Sequence, residues 1–442
     1  MNTSLQNSTY IVIGAGISGQ SIINYLLKRQ AKILRILDTR SNPPQIKYSL
    51  PIIGGDLIYA NLSDADIIVI SPGVSIYEPA LQYAIKQGKQ VIGDIELFAQ
   101  EIKHWSSKVI AITGSNGKTT VTSLTGFLAQ QAGIKTLVAG NIGTPVLDAL
   151  LDCEDKQQYP ELIVLELSSF QLETTYNLNL ASATVLNISE DHLDRYRDLL
   201  EYAHIKANIF NNCTCQVLNA HDPLVMAMFR HNSQQLYFAG THSQFRISQD
   251  SLIIDDKEYL ALQQLKLIGK HNYENCLASL ALLAGANYNL EQFKLGLAKF
   301  KGLEHRMQKV AQINDILFIE DSKGTNVGAV LAGVSGIDQP VHLILGGDGK
   351  GQDFTPLRQL VVNQCKSVAI IGQDAPLIAQ VLAGIEKVNC YSDLTSAVHA
   401  CINLASAGDA VILSPACASW DMFDNYKHRA QIFVEAIYAY FE

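Results

Sequence analysis

The chain has 442 residues, 48% of them hydrophobic and 17% charged, with a formal net charge of -9. That length suits two to four domains with well-filled cores, and the composition excludes a disordered chain. The acidic balance argues against nucleic acid as the main partner, because a phosphate backbone calls for a basic face, whereas small phosphates are held by local amide nests and helix ends and stay open.

Eight cysteines are present and none forms a CxxC pair, so they read as small buried hydrophobes in a reducing compartment. Met1–Tyr10 carries no Lys or Arg and no apolar core, so no signal peptide is expected. The longest uncharged stretches, such as Cys276–Leu290, are broken by Asn, Ser and Gly and fall short of the ~20 apolar residues of a membrane helix. A cytoplasmic protein without a membrane partner is the expectation.

Short β-branched runs alternate with helical patterns along the chain: Tyr10–Ile13, Ile67–Ile70, Val109–Thr113, Leu162–Glu166, Thr184–Asn187, Val341–Leu345, Val368–Ile371 and Val411–Leu413. This is an α/β pattern with largely parallel sheets. Two nucleotide-type strand–loop–helix openings, near residues 14 and 114, each start a sheet of their own, which puts a boundary near Phe98. A second falls where Gly302–Arg306 leaves a helical region. Three domains are expected: an N-terminal Rossmann-like sheet (1–97), a central P-loop ATPase-like sheet (98–302) and a C-terminal Rossmann-like domain (303–442).

The first opening places Gly14-Ala15-Gly16-Ile17-Ser18-Gly19 after the strand Tyr10–Ile13. A GxGxxG turn lets backbone amides approach a pyrophosphate at a helix N-terminus. Asp38 ends the next strand, where such folds carry an acid for a ribose. By itself the motif is open to NAD or FAD, to a UDP-linked group, or to packing alone.

The second opening is more telling. Val109–Thr113 runs into Gly114-Ser115-Asn116-Gly117-Lys118-Thr119-Thr120, a shortened phosphate loop. Its amides suit ATP phosphates, Lys118 the β/γ oxygens, and Thr119 an Mg²⁺ ion. No Asn-Lys pair occurs, which leaves no guanine-reading segment. Glu166 ends the apolar strand Leu162–Leu165, where a carboxylate beside a phosphate loop is placed to hold Mg²⁺. Asn187–Tyr196, with His192 in it, caps another strand end.

At this point the chain resembles the Mur ligases, the ATP-dependent amide-forming enzymes of peptidoglycan synthesis. The resemblance spans essentially the whole length. It rests on Gly114–Thr120, Gly140–Gly143, Glu166–Leu172, Glu190–Tyr196, Gly269–Tyr273, Leu303–Arg306, Asp321–Asn326, Gly346–Lys350 and Ser414–Ser419. Asp38-Thr39-Arg40 and the last two motifs make it look most like the glutamate-adding member. Ile17-Ser18 in the glycine loop, Gly324 where Ala is usual and Tyr426 in place of Phe are departures.

The resemblance implies that UDP-N-acetylmuramoyl-L-alanine and D-glutamate are the substrates, with ATP and two Mg²⁺ ions. Gly14, Gly16, Ile17, Ser18, Gly19, Asp38, Thr39, Arg40 and Ser71 would hold the uracil nucleotide, and Asn141 and His192 the sugar-peptide. Gly114 to Thr120, Asn275, Arg306 and Asp321 would bind ATP. Lys118, His192, Lys206 and Lys323 would serve the chemistry. Thr119, Glu166, His192 and Lys206 would serve the metals, Lys206 as a carbamylated lysine on a helix expected over Leu200–Phe210. Thr325, Lys350, Ser419 and Tyr426 would hold D-glutamate. A monomer is expected. Two rivals are an NAD-dependent oxidoreductase, which leaves the phosphate loop without a role, and a nucleotide-binding regulator without chemistry.

Overall fold

A computed structural model describes residues 3–192 and 195–442. Leu193 and Asp194, within the Glu190–Tyr196 motif, and Met1 and Asn2, at the start of the Met1–Tyr10 segment, lie outside the described residues. The described residues form three sheets in two compact units.

The first unit runs to Leu260 and takes in Cys276–Leu297. Its first sheet joins β1 (Thr9–Ile13), β2 (Lys32–Asp38), β3 (Ile52–Gly54), β4 (Ile67–Ile70) and β5 (Gln90–Ile92) in the order β3-β2-β1-β4-β5. All the pairings are parallel. Tyr10 and Val12 face one core while Ile11 and Ile13 face another, so both faces are covered, as a parallel sheet requires. The strand order reverses beside β1, and its C-terminal end is therefore the place for a ligand.

The second sheet is built from β6 (Lys108–Thr113), β7 (Thr136–Gly140), β8 (Leu162–Glu166), β9 (Leu180–Val185), β10 (Cys213–Asn219), β11 (Gln234–Phe238), β12 (Phe245–Ser248), β13 (Ser251–Ile254) and β14 (Lys257–Ala261). Its order is β14-β13-β12-β11-β10-β9-β6-β8-β7. The phosphate-loop strand β6 lies between β9 and β8, so loops from neighbouring strand ends converge on it. One apolar core continues from the first sheet into the second, through Val12, Val69, Phe98, Ala111 and Leu165. Phe98 sits inside the helix Asp94–Ile102, fully buried. The β9 strand, expected over Thr184–Asn187, ends at Val185, leaving Asn187 free of the ladder to serve the phosphate loop. The helix expected over Leu200–Phe210 covers Leu199–Ala207 and tightens into a 3₁₀ turn at Asn208–Phe210. Asp198 caps it by accepting the Glu201 amide at 2.8 Å.

The second unit comprises Ala261–Asn275 and Ala298–Glu442. Its sheet joins β15 (Gln308–Ile313), β16 (Ile316–Glu320), β17 (Val341–Gly346), β18 (Cys365–Ile371), β19 (Val388–Cys390) and β20 (Ala410–Leu413) in the order β15-β16-β20-β17-β18-β19. Only β15 pairs antiparallel, as the edge arm of a hairpin. Alternation again covers both faces: Leu343 and Leu345 pack on one side, Ile344 and Leu413 on the other. Among the described residues, no helix is long and apolar enough to cross a membrane.

Candidate active site

The first glycine loop owes its shape to two close approaches. Gly14 has φ 96°, and a Cβ on Gly19 would lie 1.8 Å from the Gly14 carbonyl oxygen. Gly16 precedes the helix Ile17–Lys28, and Ile17 is 80% exposed at its start. Ser71, after β4, donates from Oγ to the Gly14 carbonyl at 3.2 Å. Asp38 is buried, accepting the Ala15 amide at 2.8 Å and Arg40 Nε and Nη2 at 2.7 Å each. The Arg40 bonds hold its carboxyl down at about 2, with the Ala15 and Arg40 amides helping against burial. Thr39 and Arg40 are exposed next to it. Gly14, Gly16, Ile17, Ser18, Gly19, Asp38, Thr39, Arg40 and Ser71 thus share one strand-end crevice, with the Asp38 oxygens already engaged from within.

The phosphate loop is fixed from the neighbouring strand end. Ser115 N donates to Asn187 O at 2.9 Å, Asn116 N to Asn187 Oδ1 at 2.8 Å, and Ser115 Oγ to Ser189 O at 3.0 Å. Gly117, at φ 83°, opens the helix Lys118–Gln131, which carries Thr119 and Thr120 in its first turn. Lys118 Nζ folds back onto the carbonyls of Gly114 at 2.7 Å and Ser115 at 2.9 Å. Lys206 comes to the same carbonyl: its Nζ donates to Gly114 O at 3.0 Å and to Thr113 Oγ1 at 3.3 Å, and lies 4.6 Å from the Tyr202 ring centroid. Burial, then the nearby Lys118 charge, pushes the Lys206 amine well below its ordinary basicity, against the pull of Asp191 and Glu166.

Glu166, at the end of β8, is 2% exposed. Its Oε1 accepts Asn141 Nδ2 at 2.9 Å, while its Oε2 is buried with no hydrogen-bond partner. An orphaned buried carboxylate oxygen is costly, and its position next to a phosphate loop fits a cation. Gly140 permits the approach, since a Cβ there would lie 2.1 Å from the Glu166 carbonyl oxygen. His192 has φ 56°, packs tilted against the Phe170 ring at 4.7 Å and lies 6.4 Å from Tyr202, the same ring that Lys206 faces. Gly114–Thr120, Asn141, Glu166, His192 and Lys206 are therefore brought to the C-terminal ends of the second sheet's strands. Among the described residues, no three His, Cys, Asp or Glu side chains converge as a ready metal cage. Mg²⁺ seldom uses one; it binds through one or two carboxylates plus substrate phosphates, and this donor set fits that pattern.

In the second unit, Asp321 follows β16 and is buried, accepting Met307 N at 3.1 Å and Ser414 Oγ at 2.6 Å. Burial lifts its carboxyl to about 7 despite those bonds. A Cβ on Gly324 would meet Asp321 Oδ2 at 2.4 Å, so the glycine lets this loop close tightly. Lys323 Nζ lies 4.0 Å over the Tyr426 ring. Ala416 N donates to Gly324 O at 3.0 Å, and Ala418 N to Asp348 O at 2.7 Å. These bonds stitch the loops that carry Lys323 and Thr325, Lys350, and Ser419 into one group at the strand ends. Arg306 precedes β15, and Asn275 lies on the helix Lys270–Gly285 with Nδ2 3.4 Å from Asn272 Oδ1.

Sequence reasoning missed Arg429. On the helix Tyr426–Phe441, it is fully buried and donates to Ser322 Oγ and O, Cys417 O and Ala418 O at 2.8–3.3 Å. It clamps two of those loops through backbone carbonyls and the Ser322 hydroxyl. A single Arg in a helical pattern gives no signal of such a role.

Three family models match the chain: the Mur ligase MurD-like N-terminal domain over residues 8–93, the Mur ligase middle domain over 112–283, and the Mur ligase glutamate ligase domain over 305–417. A UDP-N-acetylmuramoylalanine--D-glutamate ligase of Nitrosomonas europaea is 44% identical, covering 97% of this chain and 95% of its own. That of Methylobacillus flagellatus is 46% identical, covering 98% and 97%. Among solved structures, a MurF from Acinetobacter baumannii aligns with a TM-score of 0.62 at 16% identity, covering 97% of this chain and 90% of its own. A pseudomurein peptide ligase type C from Methanothermus fervidus aligns at 0.59 and 19%, covering 98% and 100%. These distant structures share the fold, and the relatives at full length settle kinship: the chain belongs to the Mur ligase family.

Proposed function

We propose that the chain is an ATP-dependent ligase that adds D-glutamate to UDP-N-acetylmuramoyl-L-alanine in peptidoglycan precursor synthesis, giving ADP and phosphate. The observation that carries this reading is the meeting of a phosphate loop, an unpartnered buried carboxylate oxygen on Glu166 and the buried amine of Lys206 at the C-terminal ends of neighbouring strands. Together they suit a polyphosphate with its cation, and the full-length relatives bear the name of this activity.

The alanyl carboxylate attacks the γ-phosphate of ATP, and ADP departs. Lys118 and the loop amides neutralise the charge that develops on the transferring group. When bound, Mg²⁺ would supply further charge neutralisation at the phosphate oxygens. The amine of D-glutamate then attacks the acyl phosphate, and the tetrahedral intermediate expels phosphate. Water must be excluded while that intermediate lives.

The finer assignments support this scheme residue by residue. Gly14–Gly19, Asp38-Thr39-Arg40 and Ser71 take the uracil nucleotide; Asn141 and His192 take the sugar-peptide. Asn275, Arg306 and Asp321 serve ATP, and Lys323 the acyl phosphate. Thr325, Lys350, Ser419 and Tyr426 take the two carboxylates of D-glutamate. Thr119 and Glu166 suit one Mg²⁺, His192 and Lys206 a second. A neutral Lys206 amine adds CO₂ and releases a proton to become a carbamate, which offers the hard oxygen ligands Mg²⁺ prefers; its burial and lowered basicity favour the neutral amine. The three domains run 1–97, 98–302 and 303–442. The enzyme works in the cytoplasm as a monomer.

Phosphate release from ATP is the test. It should require both UDP-N-acetylmuramoyl-L-alanine and D-glutamate, and release independent of either substrate overturns the reading. Calorimetric titration separates the rival: tight NAD binding without UDP-substrate binding would point to an oxidoreductase.

A further inference from the structure

Glu173 and Arg195 have no part in the scheme above, yet they form a buried ion pair in the first unit. Their side chains are 1% and 8% exposed. Arg195 donates from Nε to Glu173 Oε1 at 3.1 Å and from Nη2 to Oε2 at 2.5 Å; the Tyr196 hydroxyl donates to Oε1 at 2.7 Å. The pair belongs to the second sheet's loops. The remaining Arg195 donors cross to the first sheet: Nη1 to Pro72 O at 3.1 Å and Nη2 to Val74 O at 3.0 Å. Those carbonyls follow Ser71, whose Oγ is bonded to Gly14 in the glycine loop. On its flat face the guanidinium lies 4.0 Å over the Phe170 ring, and Phe170 packs against the His192 ring, tilted, with centroids 4.7 Å apart.

A buried ion pair is poor evidence for stability, because desolvating two charges offsets much of their attraction, and well-packed apolar residues often do as well. What apolar residues cannot do is fix the register of a neighbouring loop through its carbonyls. Arg195 has donors for both tasks in one rigid plane. From the glycine loop to His192, every link is a hydrogen bond, a stack or the short Ser71–Val74 stretch of chain.

We infer that Arg195, held by Glu173, is a positioning residue that sets the span between the nucleotide crevice and the His192 loop, so that a long nucleotide-sugar substrate is gripped at both ends in register. The inference rests on the substrate reading above. Without this strap the substrate binds at the glycine loop but presents its carboxylate out of line with the phosphate loop. The hydrogen bonds that shape the phosphate loop involve neither Glu173 nor Arg195, so ATP affinity should change far less than that for the nucleotide-sugar.

The test uses the full-length enzyme with Arg195→Met, Arg195→Lys and Glu173→Gln. Arg195→Met keeps an unbranched side chain over Phe170 and loses every donor. It should lower kcat/KM for UDP-N-acetylmuramoyl-L-alanine about tenfold or more while leaving KM for ATP unchanged. Arg195→Lys should recover part of the loss, and Glu173→Gln should shift the same parameter less. Hydrogen exchange of the Ser71, Gly73 and Val74 amides should quicken in each variant that lowers activity. A parallel loss against both substrates, or unchanged exchange in that loop, overturns the inference. Should Arg195→Met not fold, the other two variants carry the same test. Should the wild-type enzyme show no UDP-substrate-dependent phosphate release, the functional reading fails, and the exchange experiment still decides on the strap.

Discussion

Asp321→Asn gives a prediction whose size follows from the structure. The Asp321 carboxyl titrates at about 7 in the fold, because burial disfavours its charge, against an ordinary value of 3.8. The sign is set by which state holds the proton. Below 3.8 both folded and unfolded chains are protonated there, and nothing is lost. Between 3.8 and about 7 the folded chain keeps a proton that the unfolded chain releases, so stability falls as pH rises; above 7 the full penalty remains. At about 1.4 kcal/mol per pH unit, the interval from pH 5 to pH 8 takes away about 2–3 kcal/mol. Asparagine carries no charge, still accepts from Met307 N through Oδ1, and turns its amide toward Ser414 Oγ, which can accept. Denaturant titrations of wild type and Asp321→Asn at several pH values read the difference. The variant should gain on the wild type between pH 5 and about 7 and level off above that, while losing affinity for ATP. Parallel stability curves across that range would falsify the account of a charge forced into the core.

Lys206→Ala should lose about 10²–10³ in kcat, the usual cost of removing one group that stabilises a transferring charge, with partial recovery on adding acetate; wild-type activity without acid would rule out the carbamate role. Asp38→Ala strips the Ala15 amide and Arg40 of their acceptor. It should raise KM for the UDP-substrate and leave that for ATP alone, and an equal rise in both would sink its assignment to the nucleotide-sugar. D-glutamine should turn over about tenfold or more slowly than D-glutamate, because Lys350 loses a charged hydrogen bond worth roughly 1.5–3 kcal/mol; equal rates in the coupled phosphate assay would contradict a two-carboxylate clamp.

Much of this molecule is legible in its sequence because its strands are buried on both faces. Ile67–Ile70 and Leu162–Glu166 read as continuous apolar runs and form as read. The phosphate loop is equally plain, since its glycines and Lys118 sit at a spacing set by the phosphates they cradle. Weaker patterns give less. The strand Ile52–Gly54 is three exposed residues at a sheet edge, too short for any period to show. The strands β12 to β14 are four or five residues long, only Phe245–Ser248 alternates cleanly, and none carries a ligand motif. Near residue 98, where the first domain is proposed to end, one core runs from sheet to sheet, and a core has no linker composition to read. At the site, Glu166 belongs to a quoted motif and Lys206 is named by resemblance, whereas Arg195, though inside Glu190–Tyr196, receives no role from it, and Glu173 and Arg429 lie outside the motifs. Their partners lie in distant loops or are main-chain carbonyls, and neither leaves a trace in local spacing.

Arg429 has a consequence for how such a scaffold changes its preferences. Because its guanidinium grips these loops almost wholly by main-chain carbonyls, the anchor is nearly indifferent to what side chains the loops display. On the proposed assignment of Thr325 and Ser419 to D-glutamate, such residues could be exchanged for others that read a different amine while the loops keep their places. Stability and selectivity would then be carried by different atoms, which would make the incoming amino acid a practical point for redesign.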